Sequence, residues 1–207
     1  MGLYSKYVLP TLVHLTCSTK PNMRQREKVV PLAHGTVLEI GIGSGLNFPY
    51  YDAEKVKKCW GLDPASEMLR LAEKAASSVP FDVEFLEVPA DRIPLEDQSV
   101  DTVVVTYTLC TIPDTQLALR EMARVLNPNG QLIFCEHGAA PDASVRRWQD
   151  LINPLWKSLG GGCHLNRLIP DLIEKGGFRI DRMESMYIPG WRLASFNYWG
   201  TAVPDRR

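Results

Sequence analysis

Neither sign of charge is in surplus in this 207-residue chain, where 23 Lys and Arg stand against 24 Asp and Glu for a formal net charge of −1. A protein that grips nucleic-acid phosphates needs a basic excess, so no nucleic-acid partner is expected and a small-molecule acceptor is favoured. Paired cysteines are missing as well. The five cysteines, at 17, 59, 110, 135 and 163, form no CxxC, and their odd number leaves no complete disulfide set, which favours reduced thiols in a cytoplasmic protein. Cys163 and His164 are adjacent, but zinc needs ligands at spacings the sequence lacks, so no metal is expected. Long apolar runs are also absent. Leu3, Tyr4, Tyr7, Val8, Leu12, Val13 and Leu15 crowd residues 1–17, yet Pro10 breaks them and they fall short of the roughly 20 apolar residues of a membrane span. The flanks of a signal peptide are lacking too, and Lys6 stands where a myristoylation signal has Ser or Thr. Two readings of this segment stay open: a short helix packed as a lid over a bound ligand, or loose contact with a membrane surface.

What is present begins with Thr36 to Asn47, Thr-Val-Leu-Glu-Ile-Gly-Ile-Gly-Ser-Gly-Leu-Asn. Val37, Leu38 and Ile40 suit a buried parallel strand. Gly41, Gly43 and Gly45 then let the backbone turn sharply and approach a ligand, and a helix is expected directly after them. The Gly-x-Gly-x-x-Gly dinucleotide fingerprint fails here, because its third glycine would fall on Leu46. Further along, apolar strands and helices alternate. Trp60–Asp63 and Val83–Val88 read as strands two and three, with a helix between them starting near Pro64 and carrying Met68, Leu69, Leu71 and Ala72 at helical spacing. The β-branched run Val100–Thr106 reads as a central strand, residues 113–126 as a helix and Gln131–Cys135 as strand five. Repeated βα units predict a parallel sheet with helices on both faces. With 45% hydrophobic residues, the length suits one domain with a continuous core.

The Glu39-x-Gly-x-Gly-x-Gly pattern resembles the first motif of class I S-adenosylmethionine-dependent methyltransferases. Three later stretches stand in that family's order: Trp60-Gly-Leu-Asp63, the block Val83–Val88 followed by Ala90-Asp91-Arg92, and Arg124–Gly130 leading into strand five. The resemblance implies a single-domain Rossmann-like α/β fold with a seven-stranded, mostly parallel sheet whose last strand is antiparallel. It implies S-adenosyl-L-methionine as cofactor, converted to S-adenosyl-L-homocysteine. The expected cofactor residues are Glu39, Gly41, Ile42, Gly43, Gly45, Asn47, Asp63, Pro64, Met68, Asp91, Arg92, Thr106 and Tyr107, with Asp63 accepting the ribose hydroxyls and Asp91 near the adenine amino group. The chain divides into N-terminal lid helices (1–33), a cofactor core (34–136), a substrate cap (137–167), and a C-terminal helix with closing strands (168–207).

The cap region narrows the resemblance. Phe134-Cys-Glu-His137, Trp148-Gln149, Pro154-x-Trp156 and Gly162-Cys-His-Leu-x-Arg167 resemble the methyltransferase-like seven proteins, thiol methyltransferases of animals, and their bacterial relatives. The animal proteins carry a longer N-terminal hydrophobic anchor. Thr106-Tyr-Thr-Leu-Cys110 is not the Asn/Asp-Pro-Pro-Tyr tetrad of many amino-group methyltransferases, so a soft, apolar thiol acceptor is expected. Methyl transfer from a sulfonium needs the nucleophile, methyl carbon and leaving sulfur held in line, and a thiol needs at most one proton removed. His137 is the first candidate base, followed by His164 and then Asp91. Trp148, Trp156 and His164 are the candidate acceptor contacts, although the tryptophans read equally as core. Two alternatives remain: a C- or O-methyltransferase of a quinone, phenol or lipid-like acceptor, and a protein that binds S-adenosylmethionine without turnover. A monomer or homodimer is expected.

Overall fold

The computed structural model describes residues 8–205; Leu3, Tyr4, Tyr7 and the start of the expected lid lie outside them. Two N-terminal helices, α1 (Leu9–Cys17) and α2 (Lys20–Val29), lead into a sheet built from β1 (Gly35–Ile40), β2 (Val56–Leu62), β3 (Asp82–Leu86), β4 (Val100–Thr106), β5 (Leu126–His137), β6 (Phe178–Tyr187) and β7 (Phe196–Pro204). Between strands lie α3 (Ser66–Ala76), α4 (Thr115–Val125), α5 (Ala143–Leu159) and α6 (Ile169–Lys175). The strand order is β3-β2-β1-β4-β5-β7-β6. Strands β1 to β5 pair in parallel, while β7 runs antiparallel to both β5 and β6.

Alternation along the central strands builds a core on each face. Leu38 and Ile40 of β1, with Val103 and Val105 of β4, pack under Leu119 and Met122 of α4 and Ile169 and Ile173 of α6. On the other face Val37 and Val104 join Leu69 and Ala72 of α3 and Val29 of α2. Phe134, Leu119 and Met122 are fully buried, and such side chains contribute about 1.5–3 kcal/mol each relative to exposure. Glu39 shares the face of Val37, so the period of the strand puts a carboxylate inside the second core.

Strand and helix spans follow the sequence expectation closely, with one correction. No α-helix follows the glycines; the chain makes turns and a single 3₁₀ turn at Phe48–Tyr50 before β2. Pro49 is compatible with the first turn of a helix, but Asp52 ends the turn. Its side chain accepts from the Glu54 N–H at 3.0 Å and its carbonyl accepts from Lys55 and Val56, which starts β2. The expected substrate cap contains the 17-residue helix α5. Buried Gln149 anchors that helix, accepting from the Ala140 N–H and donating to the carbonyls of Gly138, Leu165 and Leu193 at 2.9–3.1 Å.

Candidate cofactor and acceptor site

The carboxyl ends of β1, β2 and β4 open into a cavity of about 420 Å³, and α1 lies across it. Its wall includes Gly41, Ile42 and Gly43 after β1, Asp63, Pro64 and Met68 after β2, Asp91 after β3, and Thr106, Tyr107 and Thr108 at the end of β4 and just beyond it. Leu9, Val13, His14 and Cys17 of α1 supply the opposite side, with Gly160 and Gly161 from the end of α5. Helix α1 is fastened to the glycine loop by His14 Nδ1 and Ser44 Oγ, 2.7 Å apart.

The loop keeps the shape a ligand needs. Gly41 and Gly43 have φ of 67° and 56°, and a Cβ on Gly41 would come within 2.4 Å of Thr108. A Cβ on Gly43 would instead point toward the Met68 methyl at 3.4 Å, across the cavity wall. Asp63 braces the turn: Oδ2 accepts from the Gly43 N–H at 3.0 Å and Oδ1 from the Ala65 N–H at 2.9 Å. Burial raises the Asp63 pKa, partly offset by those two N–H groups. At the end of β4, Tyr107 sits at φ 54°, a strained value for a bulky residue. Its N–H donates to the Cys135 carbonyl at 2.8 Å and its hydroxyl to Asn197 at 2.7 Å, which hold it there.

Behind the loop lies a buried polar network. Glu39 accepts from Asn47 Nδ2 at 3.0 Å and from the Tyr51 hydroxyl at 2.6 Å, and burial pushes its pKa up to about 7 against the pull of Tyr51, Arg26 and Asn47. Arg26 of α2 donates to Asn47 Oδ1 at 2.8 Å and also to Thr106, with its guanidinium 5.1 Å from the Tyr107 ring centre.

Comparison with known proteins agrees with this geometry. A family described as a methyltransferase domain matches residues 38–134. Thiol S-methyltransferase TMT1B of Homo sapiens is 36% identical over 171 residues, covering 81% of this chain and 70% of the relative. The TMT1B of Rattus norvegicus is 36% identical over 152 residues, covering 72% and 62%. The chain therefore spans between about three-fifths and seven-tenths of the length of these relatives. A solved structure from Thermotoga maritima, described as a possible histamine N-methyltransferase, superposes with a TM-score of 0.69 at 20% identity over 99% of this chain and 100% of that one, a likeness of fold. The chain belongs to the class I S-adenosylmethionine-dependent methyltransferases.

The cavity of this methyltransferase fits the cofactor on its own terms. A carboxylate offers about four lone-pair sites, and the two N–H groups on Asp63 leave room for two ribose hydroxyls. Arg26, on the wall, has its Nε buried without a partner, and its cation suits the carboxylate end of S-adenosylmethionine. Of the expected cofactor residues, Gly41, Ile42, Gly43, Asp63, Pro64, Met68, Asp91, Thr106 and Tyr107 line the cavity. Glu39 and Asn47 do not; both are hydrogen-bonded into the network behind the loop. Gly45 stands off the wall as well, packed so that a Cβ would come within 2.7 Å of Phe48. Arg92 is exposed and outside the wall.

The expected acceptor contacts are placed differently from the sequence reading. Trp148 is 57% exposed on the outer face of α5. Trp156 packs against Trp191, ring centres 5.2 Å apart, and His164 lies beside Asn153 at 3.3 Å. None of the three is on the cavity wall. His137, the expected base, turns its Nε2 to Cys163 Sγ at 3.2 Å and is also off the wall. Cys163 has its pKa lowered by a hydrogen bond from Cys110 and then by His137, and the Trp156 indole lies close enough to add to this without a hydrogen bond of ordinary geometry. The expectation of no metal ligands rested on spacing along the chain, whereas Cys110, His137 and Cys163 converge from three separate elements. Arg26, His14 and Cys17 were missed. The polar run at 22–30 gave no periodic sign that Arg26 points inward, and the first helix carried no motif.

Proposed function

We propose that this methyltransferase S-methylates a small apolar thiol held between α1 and the residues after β4. The observation that carries the reading is the α1 side of the cavity, where Leu9, Pro10 and Val13 face Ile112 and Pro113. That wall suits an apolar acceptor with few polar groups, and the TMT1B relatives are named thiol S-methyltransferases. The cofactor supplies an electrophilic methyl group on a sulfonium. The chain's part is to hold it through Asp63, Gly43 and Arg26, to exclude water with α1, and to keep the acceptor sulfur in line with the methyl carbon. The acceptor loses one proton on becoming a thioether. A free thiol of pKa about 8.5 already supplies thiolate near neutrality, and His14, the imidazole on this wall, is placed to take the proton.

Product analysis with methyl-labelled cofactor and a panel of alkyl thiols, aryl thiols, phenols and quinols tests this. Methyl thioether from the thiols, with little product from the oxygen and carbon acceptors, is the expected result. Ready methylation of a quinol or phenol instead would replace the thiol reading with the C- or O-methyltransferase one, as would be in keeping with a ubiquinone/menaquinone C-methyltransferase from Campylobacter jejuni that is 34% identical over 111 residues. Cofactor binding without product from any acceptor would point to a protein that holds S-adenosylmethionine without turnover.

A further inference from the structure

Two thiols and an imidazole meet beside the cavity, delivered by the loop after β4, the last residue of β5 and the turn after α5. Cys163 Sγ lies 3.2 Å from His137 Nε2, and the three potential ligand atoms of Cys110, His137 and Cys163 all fall within 4.8 Å of one another. We propose that Cys110, His137 and Cys163 bind one thiophilic divalent cation, zinc by ligand chemistry, with its fourth coordination position open to an exogenous ligand.

The spacing suits that ion. Zn–S bonds of about 2.3 Å and Zn–N bonds of about 2.0–2.1 Å in a tetrahedron set S···S edges of about 3.8 Å and S···N edges of about 3.5 Å, which lie inside the observed range. Thiolate and imidazole together are a zinc-type donor set, and three protein ligands with one open position are the pattern of a reactive rather than a purely structural site. A disulfide would engage only the two sulfurs and leave the imidazole without a role; convergence of all three favours the cation.

Two further observations point the same way. The ligands sit on well-fixed backbone: the His164 N–H donates to the Cys110 carbonyl at 2.9 Å, and the Cys163 N–H to the Gly160 carbonyl at 3.2 Å. The turn that aims Cys163 inward uses Gly161 and Gly162 at φ of 63° and 96°. Buried side-chain polar atoms without partners are rare, and an ion or ordered water is a common explanation. Among the described residues His137 Nδ1 is in that condition, so the buried His137 ring has no protein partner apart from the Cys163 sulfur at its Nε2. The neighbouring residues Thr111, Gly160 and Gly161 are on the cavity wall, so the site borders the acceptor region. The proposal does not depend on the acceptor being a thiol.

A metal is held by both sulfurs as thiolates, and its binding is read directly. The full chain, reduced and stripped with a chelator, should bind one equivalent of Co²⁺ with a sulfur-to-cobalt charge-transfer band and the intense visible bands of tetrahedral geometry, and Zn²⁺ should displace it. Cys110→Ser, Cys163→Ser and His137→Ala should each weaken binding at least tenfold, with retained S-adenosylmethionine affinity serving as the check that the variant is folded. Cys17→Ser should leave binding intact, and loss of binding in it would overturn the open fourth position. If the reduced wild-type chain shows no charge-transfer band, or if binding persists unchanged in both cysteine variants, the site does not exist as proposed. The wild-type titration decides even where a variant fails to fold.

Discussion

The two sides of the cavity are built by different means. On the cofactor side, each wall segment directly follows its own strand: the glycines after β1, Asp63 after β2, Asp91 after β3 and Tyr107 after β4. The acceptor side is assembled from α1, the loop after β4 and the end of α5, which are far apart in sequence and meet only in the fold. The first side is a property of the βα unit, where ligands sit at the carboxyl ends of strands. The second is a property of tertiary packing, and it has freedom to change with the acceptor.

Arg26 ties α2 to the cofactor side, and removing it gives the largest expected effect. Its guanidinium is buried and bonded to Asn47 and Thr106, so Arg26→Ala leaves acceptors unpaired and opens a space beside Glu39. A loss of about 3 kcal/mol is expected, which for a chain of this size lowers Tm by roughly 6–12 °C. Thermal unfolding of the variant measures it; a shift below about 2 °C would mean that α2 is not a structural part of the cofactor side.

Next in size is Asp63, the carboxylate proposed to hold the ribose. Asp63→Ala removes the acceptor for the Gly43 and Ala65 N–H groups as well as for the cofactor. Charge-assisted hydrogen bonds are worth about 1.5–3 kcal/mol each, so calorimetric affinity for S-adenosylmethionine should fall at least tenfold. Asp63→Asn should recover part of it by keeping one oxygen acceptor. Equal affinity in wild type and both variants would remove Asp63 from the site.

A smaller effect comes from Glu39, whose pKa is pushed up to about 7 by burial. The groups facing it are Tyr51 and Asn47 as hydrogen-bond donors, Arg26 as a cation and Asp63 as a second carboxylate. Because the folded pKa lies above the ordinary carboxylate value of about 4.3, the folded state holds the extra proton between these values. Unfolding free energy should therefore fall as pH rises from about 4.3 to about 7. Denaturant titrations at several pH values measure this, and Glu39→Gln should flatten the slope over that window. An unchanged slope in Glu39→Gln would assign the dependence to another group.

How much of this was legible in the sequence follows the same division. Glu39, the glycines and Asp63 stand in a fixed local order, because one strand, one turn and the next strand must deliver them together. Glu39 stands off the cavity wall because strand alternation places it on the core face with Val37, a fact that only the pairing of both faces makes decisive. His137 was found at the edge of β5, but its partner is Cys163, 26 positions on, and nothing in local spacing brings the two together. Trp148 and Trp156 recur along the sequence at roughly helical spacing, which suits an acceptor contact and a core position equally. Periodicity identifies a face, not what that face meets.

Trp148 gives the smallest expected effect and the sharpest test of that last point. It lies on the outward stripe of α5 with Leu151, Leu155 and Leu159, which are 69%, 65% and 55% exposed, while Gln149 on the opposite side is fully buried. If the acceptor side of the cavity is formed by α1 and the turn at Gly160 and Gly161, truncating Trp148 removes nothing that touches the acceptor. Trp148→Ala should leave acceptor KM, kcat and cofactor affinity within about twofold of wild type, and stability within about 0.5 kcal/mol. Trp156→Ala breaks the contact with Trp191 and should cost more stability, because half-buried aromatic pairs contribute about 0.5–1.5 kcal/mol beyond their area. Steady-state kinetics and unfolding curves of the two variants separate the cases. A KM raised several-fold in Trp148→Ala alone, with stability kept, would mean that α5 turns its outer face to the acceptor during turnover, and the boundary drawn here between the two sides of the cavity would have to move.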